Sequence, residues 1–115
     1  MKSYKDLIVW QKGIDLVNEI YVMTKKFPKS EQFSLTSQML RAAISIPSNI
    51  AEGWSRNYQT EFGRFLSIAI ASAAELETQV IIAKRQYPEI SYMKAESLVF
   101  EIQKMLLSLI KTTKK

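Results

Sequence analysis

The chain has 115 residues, 47% of them hydrophobic, and a formal net charge of +5. That length suits one domain burying roughly two-thirds of its unfolded surface, and the apolar share is too high for a disordered chain. Cysteine and histidine are both absent, which excludes a disulfide framework, thiol chemistry and the commonest general base and metal ligand.

A first helix is predicted from about Tyr4 to Lys26. Ser3 and Asp6 resemble a capping box with Asp in place of Glu. Leu7, Trp10, Ile14, Val17 and Tyr21 then recur in steps of three and four, which predicts a core stripe. Lys25 and Lys26 suit the negative end of the helix dipole, and Pro28 stops the helix. Pro28 to Phe33 reads as a turn.

The second predicted helix runs from about Ser34 to Gly53, with Gly53 as its C′ residue. Its core stripe is Leu35, Met39, Ala42, Ile46 and Ile50, beside a polar stripe of Gln38, Arg41, Ser45, Ser48 and Glu52. Pro47 falls inside this helix. A mid-helix proline removes a backbone donor and clashes with the carbonyl four residues back, here Ala43, at about 3 kcal/mol or more. Asn49 and Ser45 are placed to satisfy that carbonyl. Ser55 to Asn57 is a short loop, with Asn57 as N-cap of the next helix.

The third helix extends to about Gln86. Phe62, Leu66, Ala69, Ala73, Leu76, Val80 and Ala83 keep strict 4-3 spacing, with a second line of Phe65, Ile68, Ser72, Glu75, Gln79 and Ile82. Ser67 to Ala74 contains only Ser, Ala and Ile, so a neighbouring backbone can approach closely there. A turn at Tyr87 to Ile90 leads to a fourth helix from an N-cap at Ser91 to about Thr112, with Leu98, Ile102, Met105 and Leu109 inward. Four long helices with three short connections predict an all-α, up-down-up-down antiparallel four-helix bundle, one domain over residues 1–115. Met1 to Asp6 carry no signal-peptide core and no apolar run approaches the ~20 residues that span a bilayer, so the expectation is a cytoplasmic protein with no membrane partner.

Several of these segments together resemble a known family. They are Val9-Trp10-Gln11, Phe27-Pro28, Arg41-Ala42, Ser45-Ile46-Pro47-Ser48-Asn49-Ile50-Ala51-Glu52-Gly53, Glu61-Phe62, Phe65-Leu66 and Glu75-Leu76-Glu77. The family is the four-helix-bundle proteins encoded in intervening sequences of bacterial 23S rRNA genes, and the resemblance covers nearly the whole chain. It implies a ring-like homo-oligomer, a pentamer. A related branch, the accessory variability determinant of diversity-generating retroelements, is a pentamer that binds nucleic acid and a reverse transcriptase. The chain departs from the family pattern at Ser55 and Ala71, where glycine is common, and at Gly13, where alanine is usual. Those positions bear on close packing.

No lysine lies between Glu31 and Ala83, a block of 53 residues whose only cations are Arg41, Arg56 and Arg64. Interfaces are depleted in lysine and tolerate arginine. One reading of the polar stripes is therefore a subunit interface of Gln38, Arg41, Ser45, Asn49, Glu52, Ser72, Glu75 and Gln79, with Arg41 pairing Glu52 or Glu75 through its planar fork. The alternatives are a solvated face, or a role for Asn49 and Glu52 inside one subunit only.

Catalysis is not expected. Glu75 and Glu77 are two residues apart and point to different sides of a helix. Diiron bundles need Glu-x-x-His motifs, no repeated Glu-x-x-Glu pattern supports Mg²⁺, and no glycine-rich loop can cradle phosphate. No cofactor or metal ligand is assigned.

The charge is uneven along the predicted bundle. Lys2, Lys5, Arg56, Arg64, Lys111, Lys114 and Lys115 collect at one end against Asp6, Glu52 and Glu61, a surplus of +4. The opposite end carries +3 and the middle −2. Dipole complementation and a solvated tail account for part of this. An oligomer would multiply the +4 end into a basic rim that binds phosphate backbones. With no recognition helix and no exposed aromatic platform, and with Trp10 and Trp54 as core or interface anchors, such binding is weakly sequence-selective. The expected role is a non-enzymatic accessory module binding RNA or DNA, with RNA favoured by the family's genomic setting. The alternative is a scaffold for a protein partner.

Overall fold

The computed structural model describes residues 3–114, so Lys2 and Lys115 of the candidate basic set lie outside the described residues. The chain begins with a 3₁₀ turn at Tyr4–Asp6, capped by Ser3, whose Oγ accepts from the Lys5 N–H at 3.1 Å. Leu7 is then extended, and helix α1 covers Ile8–Thr24. The single helix expected from Tyr4 is thus two elements, and the break at Leu7 carries its side chain into the core. A second 3₁₀ turn, Lys29–Glu31, leads to α2 at Leu35–Ser55. Helices α3 and α4 cover Gln59–Gln86 and Met93–Lys111.

Neighbouring helices pack as α1 on α2, α2 on α3, α3 on α4 and α4 on α1, and among the described residues the diagonal pairs do not meet. This is the expected up-down-up-down bundle. Its long extent is 45 Å, close to the roughly 42 Å that 28 helical residues of α3 rise. The α2–α3 pair is the most extensive. Small residues on both sides, Ala42 and Ser45 on α2 and Ala69, Ser72 and Ala73 on α3, let the two backbones approach.

The predicted stripes of α2 and α3 form the core: Met39, Ile46, Ile50, Leu66, Ala69, Ala73 and Leu76 are fully buried. On α1 the buried line is instead Val9, Gly13, Leu16, Ile20 and Met23, one residue earlier than expected. Both lines step by three and four, so periodicity did not choose between them; the contact with α2 does. A Cβ on Gly13 would lie 3.3 Å from the Pro47 Cβ. Pro47 is buried inside an unbroken α2, and its ring seats against the one α1 position without a side chain. The displaced stripe leaves Ile14 and Tyr21 exposed. On α4 the buried residues are Ala95, Val99, Ile102 and Leu106, while Leu98, Met105 and Leu109 flank the core half-buried. Its cap is Tyr92 rather than Ser91. Tyr92 is buried and donates its hydroxyl to the carbonyls of Ala83 and Tyr87.

By length and composition α3 would pass for a membrane span, with mean hydropathy 1.5 over its most apolar window. Its place in the bundle accounts for that composition, since its apolar line meets both α2 and α4.

Candidate functional site

The α2–α3 turn, the start of α1 and the end of α4 converge at one end of the bundle. Two corrections to the sequence reading shape this end. Gly53 is not a C′ residue: α2 continues to Ser55, and no glycine has positive φ. Gly53 is needed for space, because a Cβ there would lie 2.7 Å from the Phe65 Cβ and 3.1 Å from the Phe62 Cδ1. Asn57 is not the N-cap of α3, a position held by Tyr58. Asn57 instead takes the left-handed conformation, φ 66°, that reverses the chain, and asparagine is one of the few residues that adopts it readily.

That reversal brings Arg56 and Arg64 over one ring. Their guanidinium carbons lie 5.2 and 4.5 Å from the centroid of Phe65, itself buried. Arg56 also pairs with Glu52 at 3.1 Å, and Arg64 grips Glu61 through two nitrogens, each at 3.1 Å. The Arg64 hydrogen bond holds the Glu61 carboxyl below its ordinary range, and Glu61 in turn raises Arg64. Both arginines are exposed but held in place by a ring below and a carboxylate beside. Lys5, Lys111 and Lys114 are exposed and take part in none of the ion pairs among the described residues. Lys114 and Arg64 line one hollow with Thr60, Gly63, Ser67 and Thr113. The chain end is held there by a close approach, since a Cβ on Gly63 would lie 2.7 Å from the Thr113 Oγ1.

The candidate interface residues divide. Ser45, Asn49, Ser72 and Gln79 sit in the α2–α3 seam of a single subunit. Asn49 Nδ2 donates to the Ser45 carbonyl at 2.8 Å and to its Oγ at 2.9 Å, and the Ser45 and Ser72 hydroxyls are 2.8 Å apart. These bonds go to Ser45 and Ser72, not to the Ala43 carbonyl as expected, because Ala43 faces the core. Gln79 is buried and its Oε1 has no hydrogen-bond partner. Gln38, Arg41, Glu52 and Glu75 are exposed. Arg41 and Glu52 are eleven residues apart on α2, roughly 16 Å along its axis, and Glu52 is taken by Arg56. Within one subunit Arg41 has no ion pair among the described residues.

The sequence reading missed two groups. Phe65 was placed in a secondary line with no cation assigned to it, although its neighbour Arg64 was a signal. Tyr58 was passed over, yet it is 71% exposed beside Trp54 and Phe62, whose rings meet edge to face at 5.9 Å. Met93, Phe100 and Leu107 also recur at heptad spacing along α4 and are all exposed. Among the described residues no three metal-ligating side chains converge.

A family profile described as 23S rRNA-intervening sequence protein matches residues 5–108, a span that includes Arg56 and Arg64 and stops short of Lys111 and Lys114. No curated protein matches the chain. A similar crystal structure is that of a protein of unknown function from the S23 ribosomal protein family of Bacteroides thetaiotaomicron VPI-5482. It is 29% identical with a TM-score of 0.78, over 90% of this chain and 99% of that one. With the bundle and the sequence profile in agreement, the chain belongs to the 23S rRNA-intervening sequence protein family.

Proposed function

We propose that the protein is a non-enzymatic, cytoplasmic, homo-oligomeric accessory module, pentameric in form, that binds nucleic acid at one end of its bundle, RNA in preference to DNA. The observation that carries this reading is the gathering of Lys5, Arg56, Arg64, Lys111 and Lys114 at the end where α1 starts and α4 finishes. Three carboxylates face those five cations, and two of the three are taken by Arg56 and Arg64. The lysines therefore remain available to phosphate. A ring of protomers repeats that surplus around a rim, and clustered cations release counterions on binding a phosphate backbone. The family's description supports RNA over DNA.

The test is fluorescence anisotropy of a labelled single-stranded RNA across a salt series, with wild type and Lys111→Glu/Lys114→Glu. Binding should weaken steeply with salt. The double variant should bind more weakly, and its slope of log affinity against log salt should shrink by about two, one for each lost phosphate contact. Equal affinity and slope for both proteins would sink the reading.

The exposed heptad line of Met93, Phe100 and Leu107 favours a second reading, a scaffold that docks a protein partner on apolar surface. Such docking would be insensitive to salt.

A further inference from the structure

Beside the arginine pair lies a concave surface formed by Gly53, Trp54, Asn57, Tyr58, Gln59 and Phe62. We infer that this hollow holds one unpaired nucleobase, stacked on Tyr58, while the adjoining phosphates lie on Arg56 and Arg64. The inference rests on the nucleic-acid reading above and adds to it a site, a substrate class (single-stranded rather than duplex) and a source of affinity that salt does not screen.

Four observations converge. Tyr58 is 71% exposed, and the positive-φ Asn57 before it fixes where it stands. Its backbone is anchored as the N-cap of α3, where its carbonyl accepts from the Phe62 N–H at 2.9 Å. An aromatic side chain presented on an anchored backbone is the arrangement by which single strands are held without sequence readout, because every base has a π-face. The wall is also aromatic: Trp54 and Phe62 pack edge to face, and the missing Cβ of Gly53 lets Phe62 seat deeply. Third, the amide side chains of Asn57 and Gln59 are exposed on the same rim. An amide offers both donors and acceptors to a base edge, and that edge is free only in an unpaired base. Fourth, Arg56 is two residues from Tyr58 and Arg64 two from Phe62. Phe65 holds both guanidinium groups, so they are pre-positioned for the backbone on either side of the stacked base.

The probe is a labelled single-stranded RNA of about 12 nucleotides, within the span such sites cover, with the same RNA as a duplex for comparison. Tyr58→Ala should weaken single-strand binding about tenfold or more, the scale of one lost stack. It should leave the salt slope and duplex binding as in wild type. Tyr58→Phe should bind as wild type does, because the ring and not the hydroxyl makes the contact. A second readout leaves the hollow intact: in Trp10→Phe, Trp54 is the remaining tryptophan, and the single strand should quench its emission while the duplex does not. If wild type binds RNA with a steep salt dependence but Tyr58→Ala matches it, or Trp54 emission does not respond, the stacking site is wrong and the basic rim stands. If Tyr58→Phe is as weak as Tyr58→Ala, stacking is also wrong. If wild type binds no RNA at low salt, the parent reading fails and the site with it.

Discussion

Replacing Gly53 with alanine tests the packing that builds the basic end. Gly53 lies in the last turn of α2 without positive φ, so alanine meets no backbone strain there. Helix propensity alone would make the change stabilising by about 1 kcal/mol. Against that, the new Cβ would sit 2.7 Å from the Phe65 Cβ. The Phe65 Cβ is fixed to the α3 backbone, so relief requires α2 and α3 to move apart. Overpacking of this kind costs 1–3 kcal/mol, and an anchored collision belongs at the upper end. The net expectation is a loss of about 2 kcal/mol. With about 2.1 cal/mol/K of unfolding entropy per residue, a chain of this size loses about 8 °C in melting temperature for that energy. The assay is thermal unfolding by far-ultraviolet circular dichroism at a fixed protomer concentration, since association shifts the midpoint. Gly13→Ala is the control: its Cβ would lie 3.3 Å from Pro47, a crowding that the propensity gain of about 1 kcal/mol offsets, so its midpoint should stay within about 4 °C of wild type. A Gly53→Ala protein that melts at or above wild type would refute the spatial reading of this glycine.

Other consequences follow from the seam and the far end. Gln79→Met keeps the volume and removes the buried, unpartnered Oε1; an unmet buried acceptor costs about 1–3 kcal/mol, so the melting temperature should rise by about 4 °C, and a fall would mean that Gln79 has a partner in the assembled protein. Tyr87 donates its hydroxyl to Glu31, which holds the Glu31 carboxyl below its ordinary range, with Ser34 assisting. A depressed carboxylate pKa contributes stability above its unfolded value and loses it as pH falls through the folded one. Tyr87→Phe should therefore melt below wild type at neutral pH and converge with it in acid, and a gap that stays constant with pH would contradict the assignment. Arg41→Ala should weaken assembly, and an unchanged oligomer mass at low protein concentration would remove Arg41 from the interface.

How much of this the sequence disclosed depends on how many solutions each segment allowed. On α2 and α3 only one apolar line has consistent spacing, and Met39, Ile46, Leu66 and Leu76 fall in the core as read. On α1 two lines compete, and the choice depends on Gly13 meeting Pro47, a contact between residues 34 apart that no local pattern contains. Gly53 was misread because a glycine near a helix end has two physical uses, positive φ and close approach, and sequence does not separate them. Asn57 was misread for a parallel reason, since asparagine serves both as N-cap and in the left-handed region. The basic end was legible as charge. The sharing of Phe65 by Arg56 and Arg64 was not, because it depends on the Asn57 reversal that brings α3 back beside α2.

The most direct test of the central claim is light-scattering mass on a sizing column, with and without a mixed pool of RNA and DNA, at low and high salt. The account predicts a ring-sized species, about five times the 13.2 kDa chain, that takes up nucleic acid, RNA foremost, at low salt and releases it at high salt. A monomer would contradict the assembly, and a ring that ignores nucleic acid at every salt would contradict the binding role.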